Sequence, residues 1–356
     1  MNRRAVNPEL SIVIPILNEA GGLQSLVDML AEQQGCTFEV IFCDGGSEDG
    51  SPALLRTLGA QTPFAFRTVN SGPGRGRQMN VGARFAKGDF LLFLHADSLL
   101  PDPRALAESL QRMRREHVRR GNHCFAGRFA LRFSLTSHKQ NFGYFFYEEK
   151  ARLNLSGCIH GDQGMLLPRA FFEEVGPFDS EQPIFEDEKL AAAIARRGVW
   201  ILFPAEIVTS ARRFEREGLR ERQILNALLM NFHHIGWTPF FRQAPEVYRQ
   251  QAAGHRLDLL PFFLCIDNLL RALPQPEQRR LWQATGRYVR SQAWQLSFAF
   301  LTGVRYVLKR PHRLRSWGES FCALWERCTD FPPLNRFTGA LVRIWFRHTL
   351  KRLQKS

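Results

Sequence analysis

Short apolar runs separated by amphipathic stretches fill the first half of the chain. Residues 10–16 (LSIVIPI) and 38–43 (FEVIFC) are rich in β-branched and aromatic side chains, and residues 21–34 between them place apolar positions at helical spacing. This predicts a βαβ unit, because an unbroken apolar run suits a strand buried on both faces and a 3.6-residue period suits a helix lying over it. A third run, DFLLFLHAD at 89–97, follows a helical stretch at 76–87. Such strands joined by helices predict a parallel sheet covered on both sides. Ligands of open sheets sit at the carboxyl ends of the strands. Here those ends carry Asn18 and Glu19, Asp44, and His95 to Asp97.

Farther on, FAGRFALRFSL at 125–135 alternates like a strand, GMLLP at 164–168 reads as another, and a helix is expected over 169–176. EDEKLAAAIARRG at 186–198 is a second helix, with acids in its first turn and Gly198 past its last, as the helix dipole favours. Beyond residue 215 the strand signals stop. Long amphipathic segments take over at 218–235, 257–273, 277–308 and 334–353, broken by Pro239, Pro245, Pro274, Pro276, Pro311, Pro332 and Pro333. The expected architecture is an α/β domain followed by an all-helical region.

Composition adds two constraints. With 44% hydrophobic and 23% charged residues over 356 positions, the chain can bury a full catalytic core and a second unit. The formal charge of +14 is uneven: residues 251–356 hold 18 Lys/Arg against 6 Asp/Glu, a net of +12. That asymmetry points to an anionic surface, lipid headgroups or nucleic acid, or else to a solvated basic face. The seven cysteines are odd in number and form no CxxC pair, which speaks for reduced thiols and against a disulfide or zinc framework. The first residues lack a signal-peptide core, and no stretch reaches the roughly 18 apolar residues of a membrane span. A cytoplasmic location is the working expectation.

Three acidic segments carry candidate chemistry. CDGGSEDGS at 43–51 puts Asp44 directly after a strand, where it can accept hydrogen bonds from a base or ribose while Gly45 and Gly46 let backbone approach; Asp-Gly runs also mark plain turns. HAD at 95–97 places an acid where it can hold Mg²⁺ or Mn²⁺ against a diphosphate, or simply cap the turn before Pro101. FEDEKL at 185–190 gathers carboxylates at a helix start, either as dipole complements or as a general base.

In order, IVIPILNE (12–19), CDGGSEDGS, GRGRQMNVGARFAKGDFLLFLHADS (74–98), GDQGMLLPRAFFEEVGPFD (161–179) and EDEKLAAAIARRG resemble family 2 glycosyltransferases of the GT-A fold. The likeness is strongest to a compact bacterial subgroup with HAD, GDQG and ARRFE segments. It covers about residues 9–240, and implies a Rossmann-like, mostly parallel central sheet there, followed by a basic helical region at 251–356. It implies that Pro15, Asn18, Glu19, Asp44, Gly46 and Ser47 line the nucleoside pocket, with Arg77 and Asn80 nearby. Asp162 and Gln163 of GDQG would approach donor sugar and acceptor, and Arg212 or Arg213 the diphosphate or metal. Asp97 matches the last acid of the family's DxD metal motif. His95 replaces the first, as a further ligand, a ribose contact or packing. Asp187 matches the catalytic base, with Glu186 as the competing assignment.

The implied reaction is a metal-dependent (Mn²⁺ or Mg²⁺), inverting transfer of a sugar from a nucleotide-diphosphate donor, UDP by resemblance, to an acceptor that no residue identifies. A nucleotide-sugar-forming nucleotidyltransferase would open with a glycine- and basic-rich phosphate loop, whereas this chain reads PILNEAGG. A non-catalytic nucleotide-sugar-binding or membrane-scaffolding protein is the alternative. In the tail, LVRIWFRHTLKRL at 341–353 sets Leu341, Ile344, Trp345, Leu350 and Leu353 largely along one side, with Arg343, Arg347, Lys351 and Arg352 around the rest. This suits a helix lying in an anionic headgroup layer at the inner membrane face, and would fit a lipid-linked acceptor. Nucleic acid is not expected, since no recognition fold is visible.

Overall fold

A computed structural model describes residues 7–355 except 137–140, 156, 182–183, 252–255 and 309–314, with the backbone alone for 315–320. Two compact units are distinguished, Met1–Ser134 with Tyr147–Ser210, and Leu135–Phe146 with Ala211–Ser356.

The first unit runs β1 (Leu10–Ile16), α1 (Ala20–Ala31), β2 (Phe38–Asp44), α2 (Ser51–Gly59), β3 (Ala65–Asn70), α3 (Arg75–Phe85), β4 (Phe90–Phe93), β5 (Ser98–Leu99), α4 (Ala105–Arg120) and β6 (Phe125–Ser134). After α5 (Phe142–Ala151), which begins in the second unit, come β7 (Met165–Pro168), α6 (Arg169–Val175), α7 (Glu186–Arg197) and β8 (Val199–Ser210). One sheet holds all the strands in the order β3-β2-β1-β4-β7-β6-β8-β5. β3, β2, β1 and β4 are mutually parallel, β7 runs antiparallel to both its neighbours, and β6 and β8 are parallel.

The unbroken apolar character of β1 follows from its central place. Ile12 and Ile14 face a core shared with Leu23, Leu26 and Leu30 of α1 and Leu106 and Leu110 of α4. Val13, pointing the other way, joins Met79 of α3, Phe171 of α6 and Ile194 of α7. Successive side chains of a strand alternate faces, so a strand between two helical layers must be apolar at every position. α3 lies directly on the sheet because Gly82 has no side chain. A Cβ there would stand 2.4 Å from Val13 Cγ1 and 2.5 Å from Cys43 Sγ.

The long strand β8 was not anticipated from the sequence. Pro204 interrupts it, and the register with β6 jumps from Arg128↔Leu202 to Ala130↔Glu206, so the proline falls in a bulge where its missing N–H costs no ladder bond.

The second unit contains α8 (Arg212–Glu217), α9 (Leu219–His234), α10 (Thr238–Arg249), α11 (Leu260–Arg271), α12 (Gln275–Gln292), α13 (Trp294–Leu308), α14 (Arg315–Thr329) and α15 (Pro332–Leu353). Several prolines expected as breaks instead begin helices: Pro239, Pro276 and Pro332–Pro333 occupy first turns, where no N–H partner is lost, and Pro274 caps α12. Pro245 lies inside α10, and Pro311 is outside the described residues. The segment expected as one helix at 277–308 divides into α12 and α13. α12 and α15 cross closely at Gly286 and Gly339, and the buried Arg290 binds Asn335, Thr329, Glu326 and Asp330. Among the described residues no helix is long and apolar enough to cross a membrane.

Candidate active site

Two loops leave the carboxyl ends of β1 and β2 and are sewn together by their own polar groups. Asn18 adopts a left-handed backbone (φ 57°), a conformation asparagine tolerates better than most residues. Its N–H donates to Ser47 Oγ at 2.9 Å, and its Oδ1 accepts the Glu48 N–H at 2.8 Å. Ser47 in turn donates its hydroxyl to Asp44 Oδ1 at 2.6 Å, while the Glu19 N–H donates to Ser51 Oγ at 3.1 Å. Gly46 is exposed with φ 98°, a region that favours glycine. Beneath the loops, Gln78 of α3 donates to the carbonyls of Ile16 and Cys43, both at 2.7 Å, satisfying the two strand ends where they part. Pro15 is buried within β1, opposite Cys43.

A second cluster forms where β4 ends and the 3₁₀ turn Gly161–Gln163 enters β7. Gly161 separates His95 from Asp187: a Cβ at this position would sit 2.8 Å from His95 Nε2 and 3.3 Å from Asp187 Oδ2. The Gly161 N–H donates to Asp187 Oδ2 at 2.7 Å, and the Glu188 N–H donates to Asp187 Oδ1 at 2.9 Å. The acidic first turn of α7 therefore carries a carboxylate held at both oxygens. Arg75, at the start of α3, pairs with the buried Glu186 at 3.4 Å. The first turn of α1 abuts the β4 end as well, since a Cβ on Gly22 would lie 3.8 Å from the Ala96 carbonyl.

These groups perturb one another. Burial, then the Arg75 charge, pushes the His95 imidazole down to about 4 against the pull of Asp97 and Asp187, so the ring is neutral at pH 7. Burial pushes Asp162 up to about 6, aided by the charges of Asp187 and Asp97 and opposed by His160 and Arg75. Asp187 behaves oppositely: burial works to raise it, but His160, the Gly161 N–H, Arg75 and His95 outweigh burial and hold it below the usual carboxylate range. Burial raises Glu186, opposed by Arg75 and reinforced by Asp187. Two neighbouring acids are thus driven apart, Asp187 to the ionised form and Glu186 towards the protonated form.

The structure brings together His95, Asp97, Asp162, Glu186 and Asp187, and adds Arg75 and His160, which the sequence reading did not single out. The motif GRGR offered a clue to Arg75, but spacing does not tell which arginine of a helical first turn faces the acids. Other predicted residues are placed differently. Asn80 brackets the backbone of Phe178 with both ends of its amide, at 2.8 and 2.9 Å, and Arg77 is exposed above Gly72. Gln163 is fully buried and donates to the Cys158 carbonyl at 2.8 Å. Arg212 and Arg213 open α8 in the second unit and are exposed there.

The donor set at this cluster fits a divalent cation that a substrate helps to hold. His95 Nε2 is sealed from solvent with no hydrogen-bond partner, as is Asp162 Oδ1, and a neutral imidazole keeps a lone pair for a metal. Asp97 is exposed. Among the described residues, however, these groups do not form a cage of three converging ligand atoms; the group that does so is His123, Cys124 and Glu174, elsewhere on this unit.

Comparison with known proteins bears out the resemblance seen in the motifs. Residues 11–176 match the family model described as Glycosyl transferase family 2. An undecaprenyl-phosphate 4-deoxy-4-formamido-L-arabinose transferase of Aeromonas hydrophila is 32% identical over 110 residues, 29% of this chain and 34% of that protein. A PGL/p-HBAD biosynthesis glycosyltransferase of Mycobacterium bovis is 36% identical over 103 residues, 28% of this chain and 40% of that protein. The chain thus spans well under half the length of these relatives. Among solved structures, the mannosyltransferase PcManGT from Pyrobaculum calidifontis, in complex with GDP-Man and Mn²⁺, superposes with a TM-score of 0.50. It covers 96% of this chain and 88% of its own at 18% identity, a likeness of GT-A fold.

Proposed function

We propose that this chain, whose residues 11–176 match the Glycosyl transferase family 2 model, moves a sugar from a nucleotide-diphosphate donor to an acceptor hydroxyl. The observation that carries the reading is the pair of environments around Gly161: a fixed, ionised Asp187 on one side and a neutral, unpartnered His95 on the other. The catalytic domain is taken as residues 9–240, and 251–356 as a basic helical region. In this reading the joined loops at Asn18–Glu19 and Asp44–Ser47 receive the nucleoside. Asp97, with His95, would hold a divalent cation, Mn²⁺ or Mg²⁺, whose chemistry is to neutralise charge growing on the leaving diphosphate.

Asp187 is the general base. Its Oδ atoms are oriented by two backbone N–H groups, its low proton affinity keeps it ionised at neutral pH, and it accepts the acceptor's proton as the new bond forms. Attack opposite the departing diphosphate inverts the anomeric centre. Glu186 serves Arg75 rather than the acceptor, since the residue is 2% exposed and its Oε1 stands 3.4 Å from the Arg75 guanidinium. Arg75 in turn lends positive charge to the cluster. A diphosphate contact from Arg212 or Arg213, and UDP as the nucleotide, belong to the proposal on family resemblance alone.

The Aeromonas relative is named for an undecaprenyl-phosphate acceptor, which supports a lipid-linked acceptor here and a peripheral place at the inner membrane face. Calorimetric titration with UDP- and GDP-sugars, with and without Mn²⁺ or Mg²⁺, tests the donor. Metal-dependent binding of at least one is expected, and failure of all of them refutes the reading. Slow donor hydrolysis in the same samples separates an enzyme from a non-catalytic nucleotide-sugar binder.

A further inference from the structure

An apolar helix face needs a non-aqueous neighbour, and α13 carries one that the described residues leave largely exposed. Trp294, Phe298 and Thr302 point inward, where Phe298 packs on Trp294 and on Phe146. The single charge of the helix, Arg305, lies over the ring of Phe145. The opposite side carries Leu296, Phe300, Val304 and Val307, spaced three or four apart, and three of these are among the most exposed large apolar residues described: Leu296 at 75%, Phe300 at 72% and Val307 at 76%. Phe300, Val304 and Val307, with Phe142 and Gly303, line a shallow groove that is almost wholly apolar.

We propose that this face of α13 is the surface by which the protein rests on an anionic lipid bilayer, a proposal that gives the membrane association suggested above its place. Two features choose lipid over another protein. The chain following the helix reads KRPHRLR at 309–315, with four cations and no acid, and residues 251–356 as a whole have a net charge of +12, from 18 Lys/Arg against 6 Asp/Glu. An uncharged apolar face within a strongly basic region suits a membrane surface, where acyl chains take up apolar side chains and anionic phosphates attract cations. The helix has 15 residues, too short to span the hydrocarbon layer, so it lies in the interface. In α15, the stronger candidate from sequence, Leu350 is buried in the core of the second unit with Leu353 packed against it, and Leu341, Ile344 and Trp345 are 48%, 64% and 43% exposed, less than Leu296, Phe300 and Val307 of α13.

The test is co-sedimentation of the full chain with vesicles of phosphatidylcholine alone or with about one third phosphatidylglycerol. Wild type is expected to partition more strongly onto the anionic vesicles. The double variant Phe300→Asp/Val307→Asp should lose roughly tenfold or more in partitioning, since the area these side chains would bury is withdrawn and two charges are added. Lys309→Gln/Arg310→Gln should lower binding to anionic vesicles selectively. Val118→Asp, at an exposed apolar position of α4, should leave binding unchanged. Equal partitioning of wild type and the Asp double variant overturns the proposal, as does absence of wild-type binding, or a dimer that the double variant dissolves without any vesicle binding. Nucleotide-sugar binding should be the same in wild type and the double variant. Its absence from both would sink the glycosyltransferase reading while leaving the membrane result standing.

Discussion

Replacing Asp187 by asparagine separates the structural and chemical duties of one carboxylate. Both oxygens accept backbone N–H groups, Oδ2 from Gly161 at 2.7 Å and Oδ1 from Glu188 at 2.9 Å. An amide offers only one acceptor, so whichever way it turns, its NH₂ faces a donor and one backbone N–H loses its partner. An unsatisfied buried donor costs about 1–3 kcal/mol. The adjacent His95 and Arg75 also lose a negative neighbour. Thermal unfolding should therefore show a moderate loss of stability, about 1–3 kcal/mol. Turnover should fall further, by roughly 10²- to 10⁴-fold, the usual scale for a missing general base. Donor binding should stay within a few-fold of wild type, because the nucleoside loops and Asp97 are untouched. The assay is steady-state release of nucleoside diphosphate from the preferred donor, with calorimetry of donor binding alongside. If Asp187→Asn turned over at the wild-type rate while Glu186→Gln with intact binding did not, the base would be Glu186 and the argument from their opposed environments would fail.

Asp97→Asn should abolish the metal-dependent part of donor binding, read by calorimetry with and without Mn²⁺, and unchanged binding would remove Asp97 from the metal site. Asp162 is raised to about 6, so between about pH 4, where an unfolded aspartate ionises, and pH 6 the folded chain holds a proton the unfolded chain has lost, and stability falls as pH rises through that window. Asp162→Asn should remove that fall and raise stability of the metal-free protein at pH 8 by on the order of 1–3 kcal/mol; parallel pH–stability curves for both proteins would contradict it. Gly161→Ala should lower turnover at least tenfold while the protein still folds, because the added methyl forces His95 and Asp187 apart by a few tenths of an ångström and such misplacement is costly to catalysis. Wild-type rates in that variant would show the cluster to be slack.

Much of the first unit was readable from residue order. The runs at 10–16 and 38–43 became β1 and β2 because strands buried between helical layers have no polar face to confuse the pattern. The helix over 186–198 ended at Arg197, one residue before the glycine that closed its pattern. Motif order also located the acids at the strand ends, and 11–176 is the stretch that the family model matches. Where local patterns were weak or mixed, the sequence reading stopped short: β8 with Pro204 in a bulge, and α10 with Pro245 in its interior, are held by neighbours rather than by their own propensity. Which acids share a pocket was decided only by tertiary structure. Arg75 and Glu186 are more than a hundred residues apart, as Ser47 and Asn18 are separated by a connecting helix, and no spacing rule reports that Gly161 stands between His95 and Asp187. The tail shows the same division. Sequence alone marked 341–353 as apolar on one side and basic around the rest, and 277–308 only as an amphipathic segment, because helical period gives the faces of a helix and not which face the core claims. Packing spent Phe346 and Leu350 of α15 on the core and left Phe300 and Val307 of α13 in water.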